Sequence, residues 1–259
     1  MSNRQFLHTG LVDTSTVLKD TGDELILLQE QLANLVKETN QFTYIITHDL
    51  QAPLRMVTGF LELLERRYAD KLDAGAKQYI EYSVKGANRM KSLIFDLLEY
   101  SRLSSVKHEF DVVDMREVLE EVIGKLSVDI SSSGADVIIG ALPGVWADRK
   151  MMVQLLTHLL DNAIKFRSAD RPVIHIDAAR QNHQWQISIS DNGIGIDPAF
   201  HERIFDIFKQ LHPEEAGYKG TGTGLTVCKK IAELHDGRID VFSEAGRGSM
   251  FVVSIPEKI

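Results

Sequence analysis

An imidazole and a carboxylate stand side by side at His48-Asp49, within the stretch Thr47-His48-Asp49-Leu50-Gln51-Ala52-Pro53-Leu54. Helix positions advance by about 100° per residue, so with Ile46 and Leu50 on a buried stripe His48 falls roughly 160–200° from both and faces solvent. Asp49 is placed to orient or deprotonate the ring. An exposed imidazole with an adjacent acid suits a nucleophile. Most surface histidines carry out no chemistry, so the pair gains weight only from residues far downstream.

Three clusters in the second half are suited to holding a nucleotide. In His158-Leu159-Leu160-Asp161-Asn162-Ala163-Ile164-Lys165-Phe166, Asn162 and Lys165 are three apart on one helix face. The first offers a neutral oxygen to Mg²⁺ and the second an ammonium to phosphate. In Asp191-Asn192-Gly193-Ile194-Gly195-Ile196, Asp191 ends a strand and can accept from an exocyclic amine. Gly193 and Gly195 permit positive φ and close approach of a flat ring. Gly220-Thr221-Gly222-Thr223-Gly224 precedes a helix, and its backbone N–H groups make an anion cradle. It is neither a Walker A loop nor a G-x-G-x-x-G dinucleotide turn. Each cluster alone is ordinary surface or turn.

The elements that must position these residues divide the chain in two. Leu18, Thr21, Leu25, Leu28, Leu32, Leu35, Thr39, Phe42 and Ile46 alternate by three and four, a coiled-coil seam. Leu50, Leu54, Val57, Leu61 and Leu64 carry it on after a phase shift, as where a two-stranded coil widens into a bundle. Pro53 predicts a kink or loosened turn near the imidazole. After a polar turn over Tyr68 to Gly75, a second helix carries Ile80, Ser83, Ala87, Met90, Ile94, Leu97 and Ser101. Such a hairpin needs a second copy to complete a four-helix bundle. Ser104 to His108 reads as a linker.

Beyond it, strands are expected at Glu109–Val113, Ala135–Ile139, Val173–Ala178, Trp185–Ser190, Arg238–Ser243 and Ser249–Ile255. Helices are expected over Met115–Val128, from an Asp148 cap to Arg167, and over Gly224–His235. Asp206 to Lys219 reads as a lid, its entrance anchored by Ile204, Phe205 and Phe208. The fold class is therefore α plus α+β: a coiled coil over 1–40, a dimeric helical hairpin over 41–107 and an α/β sandwich over 108–259.

The chain has 259 residues, 44% hydrophobic and 25% charged, with a net charge of −8. The acidic balance argues against non-specific nucleic-acid binding. No apolar run is long enough for a membrane span, and the N-terminus lacks a secretory core, which points to the cytoplasm. The single cysteine, Cys228, reads as a packing residue.

The five motifs in this order, His48, Asn162, Asp191-Gly-Gly, Phe205/Phe208 and the glycine loop, resemble the transmitter module of sensor histidine kinases over roughly Asn40 to Ile259. The wording around His48 is most similar to the phytochrome-like branch. The resemblance implies a GHKL-type ATP-binding domain and a homodimeric ATP-dependent protein-histidine kinase. In it His48 is the phosphoacceptor and Asp49 its orienting acid. Asn162 ligates Mg²⁺, Lys165 meets phosphate, and Asp191 reads adenine with Gly193 and Gly195 lining the base pocket. Gly220, Gly222 and Gly224 run under the phosphates of ATP. A response-regulator receiver domain accepts the group, and an upstream sensor domain or protein supplies the stimulus, since about forty residues before the motif are too few for one.

Three positions depart from the family pattern: His158 and Gln51, where asparagine and arginine are frequent, and Ala52, where family members with phosphatase activity often carry Thr or Asn. Weak phosphatase activity is expected. The rival readings are a GHKL-type ATPase, which leaves His48-Asp49 unexplained, and a non-enzymatic phosphotransfer scaffold with a decayed ATP site.

Overall fold

The structure is a computed structural model that describes residues 6–103, 108–211 and 220–258, with only part of the side chains before residue 45. Helix α1 runs from Phe6 to Tyr68 and α2 from Ala74 to Leu103. Asp73 caps the return, its Oδ1 accepting from Ala76 N at 2.7 Å. Helix resumes at Ala74, so Ala74 and Gly75, the last two residues of the expected turn, lie in the helix.

The face joining the two helices is not the one expected. Thr47 and Leu54 of α1 are buried, together with Ile80, Ala87, Leu98 and Ser101 of α2. Ile46 and Leu50 are 40% and 47% exposed, which corrects their assignment to the buried stripe. They open a second stripe, Ile46, Leu50, Val57, Phe60 and Leu64, exposed along its length. On α2 the expected seam splits likewise: Ile80, Ala87 and Ser101 are buried, while Ser83 and Met90 are exposed. Helix α1 thus carries two adjacent apolar faces, as a helix of a four-helix bundle does. Leu28 and Leu35 of the earlier seam are exposed, and the side chains of Leu18, Thr21, Leu25, Leu32 and Phe42 lie outside the described residues.

Helix α1 continues through Pro53. The kink expected there does not break the helix, although proline leaves the Asp49 carbonyl without its i+4 donor. Thr39, Thr43 and Thr47 each donate to the carbonyl four residues back, at 2.7–2.8 Å, along the turns leading to His48.

The second unit contains β1 (Phe110–Asp114), α3 (Met115–Lys125), α4 (Ser127–Ser133), β2 (Asp136–Ile139), β3 (Gly144–Asp148), α5 (Arg149–Lys165), β4 (Val173–Gln181), β5 (Gln184–Asp191), α6 (Gly224–Leu234), β6 (Arg238–Ser243) and β7 (Ser249–Pro256). Strands β1 and β3 pair antiparallel. The main sheet has the order β2-β4-β5-β7-β6, antiparallel except at β2–β4. Alternation decides its faces. Ile174 and Ile176, Ile187 and Ile189, and Val253 and Ile255 are buried at every second position. They form one core with Leu119, Met152, Leu156, Leu159 and Ile231 of the helices. Each large side chain so buried contributes about 1.5–3 kcal/mol. The result is the expected two-layer sandwich.

Two elements were not anticipated. The helix expected over Met115–Val128 ends at Lys125 and restarts as α4, and β3 precedes the Asp148 cap. Asp148 does cap α5, accepting from Met151 N at 3.1 Å. The β4–β5 turn has φ of 51° at Asn182 and 58° at His183, the left-handed pair a tight hairpin needs.

Candidate functional site

The adenine-side residues begin where β5 leaves the sheet. Asp191 closes that strand, paired with Ser249 of β7 and Ile174 of β4. Its Oδ1 accepts from Gly193 N at 2.8 Å and from Ser249 N at 3.3 Å. Burial pushes the carboxyl above its usual range, and these two N–H groups hold it back. With Oδ1 tied to the backbone, Oδ2 is the oxygen left to meet a ligand donor. Asn192 fixes the turn, accepting from Val173 N at 2.8 Å and donating to Arg171 O at 3.0 Å.

The two glycines after Asp191 differ in role. Gly195 has φ +67° and borders the cavity. Gly193 is buried, has no positive φ and does not line the cavity, contrary to the sequence expectation. A Cβ there would collide with the Phe166 carbonyl, so Gly193 lets the turn approach α5 and holds Asp191 from behind.

Helix α5 brings His158, Asp161, Asn162 and Lys165 to the same cavity, and the glycine loop before α6 faces them. The cavity is about 370 Å³. Phe166, Ile196 and Phe251 give it apolar walls. Lys165 Nζ lies 5.0 Å from the Phe166 ring centre. A Cβ on Gly220 would meet that ammonium, and one on Gly224 would come within 3.2 Å of the His158 ring. Gly222 has φ +78°, and a Cβ there would strike the Lys209 carbonyl. Gly222 therefore answers to a close backbone approach, while Gly220 and Gly224 stand beside side chains. Thr223 occupies the N-cap position of α6 without capping it, so the helix presents uncapped N–H groups to an anion.

His158 is the unusual member. Its Nε2 is buried without a hydrogen-bond partner. Burial pushes the ring below its usual range, opposed by the charges of Asp96 and Asp161. At the lid entrance, Ile204 is buried and Phe205 packs on the core, but Phe208 is 43% exposed with φ +62° and anchors nothing. The expected lid residues 212–219 lie outside the described residues.

His48 and Asp49 are on α1, apart from this cavity, and both are exposed. His48 Nδ1 lies 3.2 Å from Asp49 Oδ1. Sequence reasoning missed the contribution of α2: Ser92 and Asp96 line the cavity, and Thr223 Oγ1 donates to Asp96 Oδ2 at 2.5 Å. Polar residues at heptad spacing on α2 were the signal that could have found them.

Residues 38–106 match the phospho-acceptor domain of histidine kinases, and residues 147–259 match the ATPase domain described as histidine kinase-, DNA gyrase B- and HSP90-like. Adaptive-response sensory kinase SasA of Synechocystis sp. is 30% identical over 259 residues, covering 95% of this chain and 67% of its own. The chain belongs to the histidine kinase family. Cyanobacterial phytochrome A of Nostoc sp. is 44% identical over 234 residues, 90% of this chain, and this histidine kinase chain spans 30% of that relative's length. Among solved structures, full-length ShkA in complex with AMPPNP matches with a TM-score of 0.63 and 26% identity, over 83% of this chain and 45% of that one. Both domains of the kinase family are thus present in the expected order. No helix among the described residues is long and apolar enough to cross a membrane.

Proposed function

We propose that the chain is an ATP-dependent protein-histidine kinase that phosphorylates His48 and passes the group to an aspartate of a response-regulator receiver domain. The observation that carries this reading is the single cavity uniting Asn162, Lys165, Asp191 and the glycine loop, in a chain whose first domain exposes an imidazole already oriented by a carboxylate.

In the proposed reaction, Asp191 Oδ2 accepts from the adenine amine while Gly195 admits the flat ring. Lys165 and the N–H groups of the glycine loop meet the phosphates. Asn162 offers a neutral amide oxygen, and no hydrogen bond of that side chain competes for it among the described residues, so it fits a Mg²⁺ ligand. Bound there, the ion would neutralise phosphate charge. Asp49 at His48 Nδ1 selects the tautomer with the proton on Nδ1, leaving the Nε2 lone pair for attack. The Nε2–P bond forms as the bond from the γ-phosphorus to ADP breaks, and Asp49 balances the positive charge that develops on the ring or accepts the proton from Nδ1. Delivery to the receiver reverses the roles, an aspartate oxygen attacking the same phosphorus.

The exposed stripe Ile46, Leu50, Val57, Phe60 and Leu64 supports a homodimer, in which these residues meet their counterparts in a four-helix bundle. The coiled coil would relay the state of an upstream sensor domain or sensor protein, and the kinase would work in the cytoplasm. Incubation with γ-labelled ATP tests the reading. Acid-labile, base-stable label that vanishes in His48→Ala is expected. Phosphate release without labelled protein would overturn it in favour of an ATPase.

A further inference from the structure

One face of α2 is polar where a helix hairpin needs no polarity. Arg89, Ser92, Asp96, Glu99 and Leu103 recur at intervals of three and four, so they form one line along the helix. Every member turns toward the nucleotide-binding domain. Leu103 joins that domain's core. Glu99 accepts from Gln154 Nε2 of α5 at 3.2 Å. Asp96 accepts from Thr223 at the start of α6, and Ser92 lines the cavity. Arg89 Nη2 approaches Gln210 Oε1 at 3.4 Å, and Gln210 in turn donates to the carbonyl of Gly220.

The Asp96 contact is chemically pointed. Thr223 is placed to cap α6, but its hydroxyl donates to Asp96 instead, with Thr221 Oγ1 2.8 Å from it. A carboxylate therefore stands at the mouth of an anion cradle, where it offers the negative charge and acceptor oxygens that a phosphate would. A triphosphate in the same cavity would lie against that carboxylate, which is partly buried and so only partly screened by water. The two anions cannot both be accommodated comfortably.

We propose that the polar stripe of α2 is an autoinhibitory latch: Asp96 occupies the phosphate cradle when the domains are docked, and the nucleotide's phosphates displace it and free the catalytic domain from α2. The proposal rests on the nucleotide-binding reading of the cavity and adds to it a conformational consequence. The stripe suits reversible docking, because its contacts are hydrogen bonds that water can replace, with Leu103 as the apolar anchor at its C-terminal end. Glu99 adds to the strain, since burial and then the neighbouring Asp96 charge raise its pKa. The docked state is held by few bonds and opposed by its own carboxylates.

The test uses the full chain. Cys228 is fully buried, so nitroxides attached at Lys77→Cys of α2 and Asp170→Cys of the catalytic domain, both exposed, report the separation of the two. Dilution with unlabelled chain removes distances between subunits. In the otherwise wild-type chain, AMPPNP with Mg²⁺ is expected to lengthen the distance. Asp96→Ala and Asp96→Asn are expected to lengthen it without nucleotide and to bind AMPPNP about five- to tenfold tighter, as follows when a predominantly closed population is released. Unchanged or weaker binding in the variants overturns the latch, and weaker binding would place Asp96 among the groups that hold the metal–nucleotide. If neither wild type nor variants bind AMPPNP, the nucleotide reading falls and the latch falls with it.

Discussion

His48 Nδ1 lies 3.2 Å from Asp49 Oδ1 although both side chains are about 70% exposed, at 69% and 75%. A contact between neighbours on an exposed helix surface contributes little to stability. What it can do is choose which nitrogen carries the proton. Asp49→Asn is therefore expected to leave the melting temperature and nucleotide affinity unchanged, while the rate of autophosphorylation falls about a hundredfold or more, in the range of a lost general base. Single-turnover labelling at saturating ATP checks it. An equal fall in nucleotide affinity would show that Asp49 acts elsewhere.

Asp191 sets function against stability. Its carboxyl has a raised pKa through burial, so the folded state disfavours the ionised form more than the unfolded chain does. A raised carboxylate pKa contributes stability below the unfolded value, and that contribution is lost as pH rises through the folded value. At neutral pH the ionised group is thus a liability. Asp191→Asn keeps an oxygen for Gly193 N and Ser249 N and removes the charge. The variant is expected to melt a few degrees higher at pH 7, with the gap closing in acid, and to lose adenine-nucleotide binding. Calorimetry across pH and a nucleotide titration measure the two effects separately.

His158 titrates with the opposite sign. Burial lowers its pKa, so the neutral ring is favoured in the fold. The stability this gives is present above the unfolded value of about 6.5 and is lost as pH falls through the folded value. Asn at this position carries no titrating group and can still bond a phosphate. His158→Asn is expected to flatten the fall in melting temperature below about pH 6.5 and to retain nucleotide binding at neutral pH. A melting profile that still follows wild type through the acid range would remove His158 from the account.

The catalytic sandwich was largely legible because alternation is a strong code. Strand β6 was read to the residue, and β4, β5 and β7 came within a few residues, since Ile174/Ile176, Ile187/Ile189 and Val253/Ile255 repeat with period two. Strand β3 was missed because Gly144-Val145-Trp146-Ala147 is too short to show that period. The helical half was harder for a different reason. Heptad spacing identifies a seam but not its partner, and the seam ending at Ile46 lies one residue from Thr47 on the face that meets α2. Two stripes of equal period on one helix are indistinguishable until one is covered. Gly193 was misplaced because a glycine needed for close packing and one needed for positive φ look alike in sequence. The polar spacing on α2 marks the face that carries Asp96, but what covers that face depends on how two domains meet, which no local pattern encodes.

Ala52 lies one helical turn beyond His48 on the same exposed side of α1. From that position a hydroxyl or amide would reach water beside the imidazole, but a methyl group neither donates nor accepts. The chain is therefore expected to remove phosphate from a loaded receiver domain only weakly. Replacing Ala52 by Thr or Asn supplies the missing group without touching the α1–α2 interface, which runs through Thr47 and Leu54. Either variant should accelerate receiver dephosphorylation about tenfold or more, at the lower edge of what positioned acid–base groups contribute, while His48 labelling stays near wild type. The assay follows label lost from a phosphorylated receiver after ATP removal. Fast loss with the unmodified chain would mean that another side chain positions the attacking water. No gain in the variants would mean that the turn after His48 does not hold it.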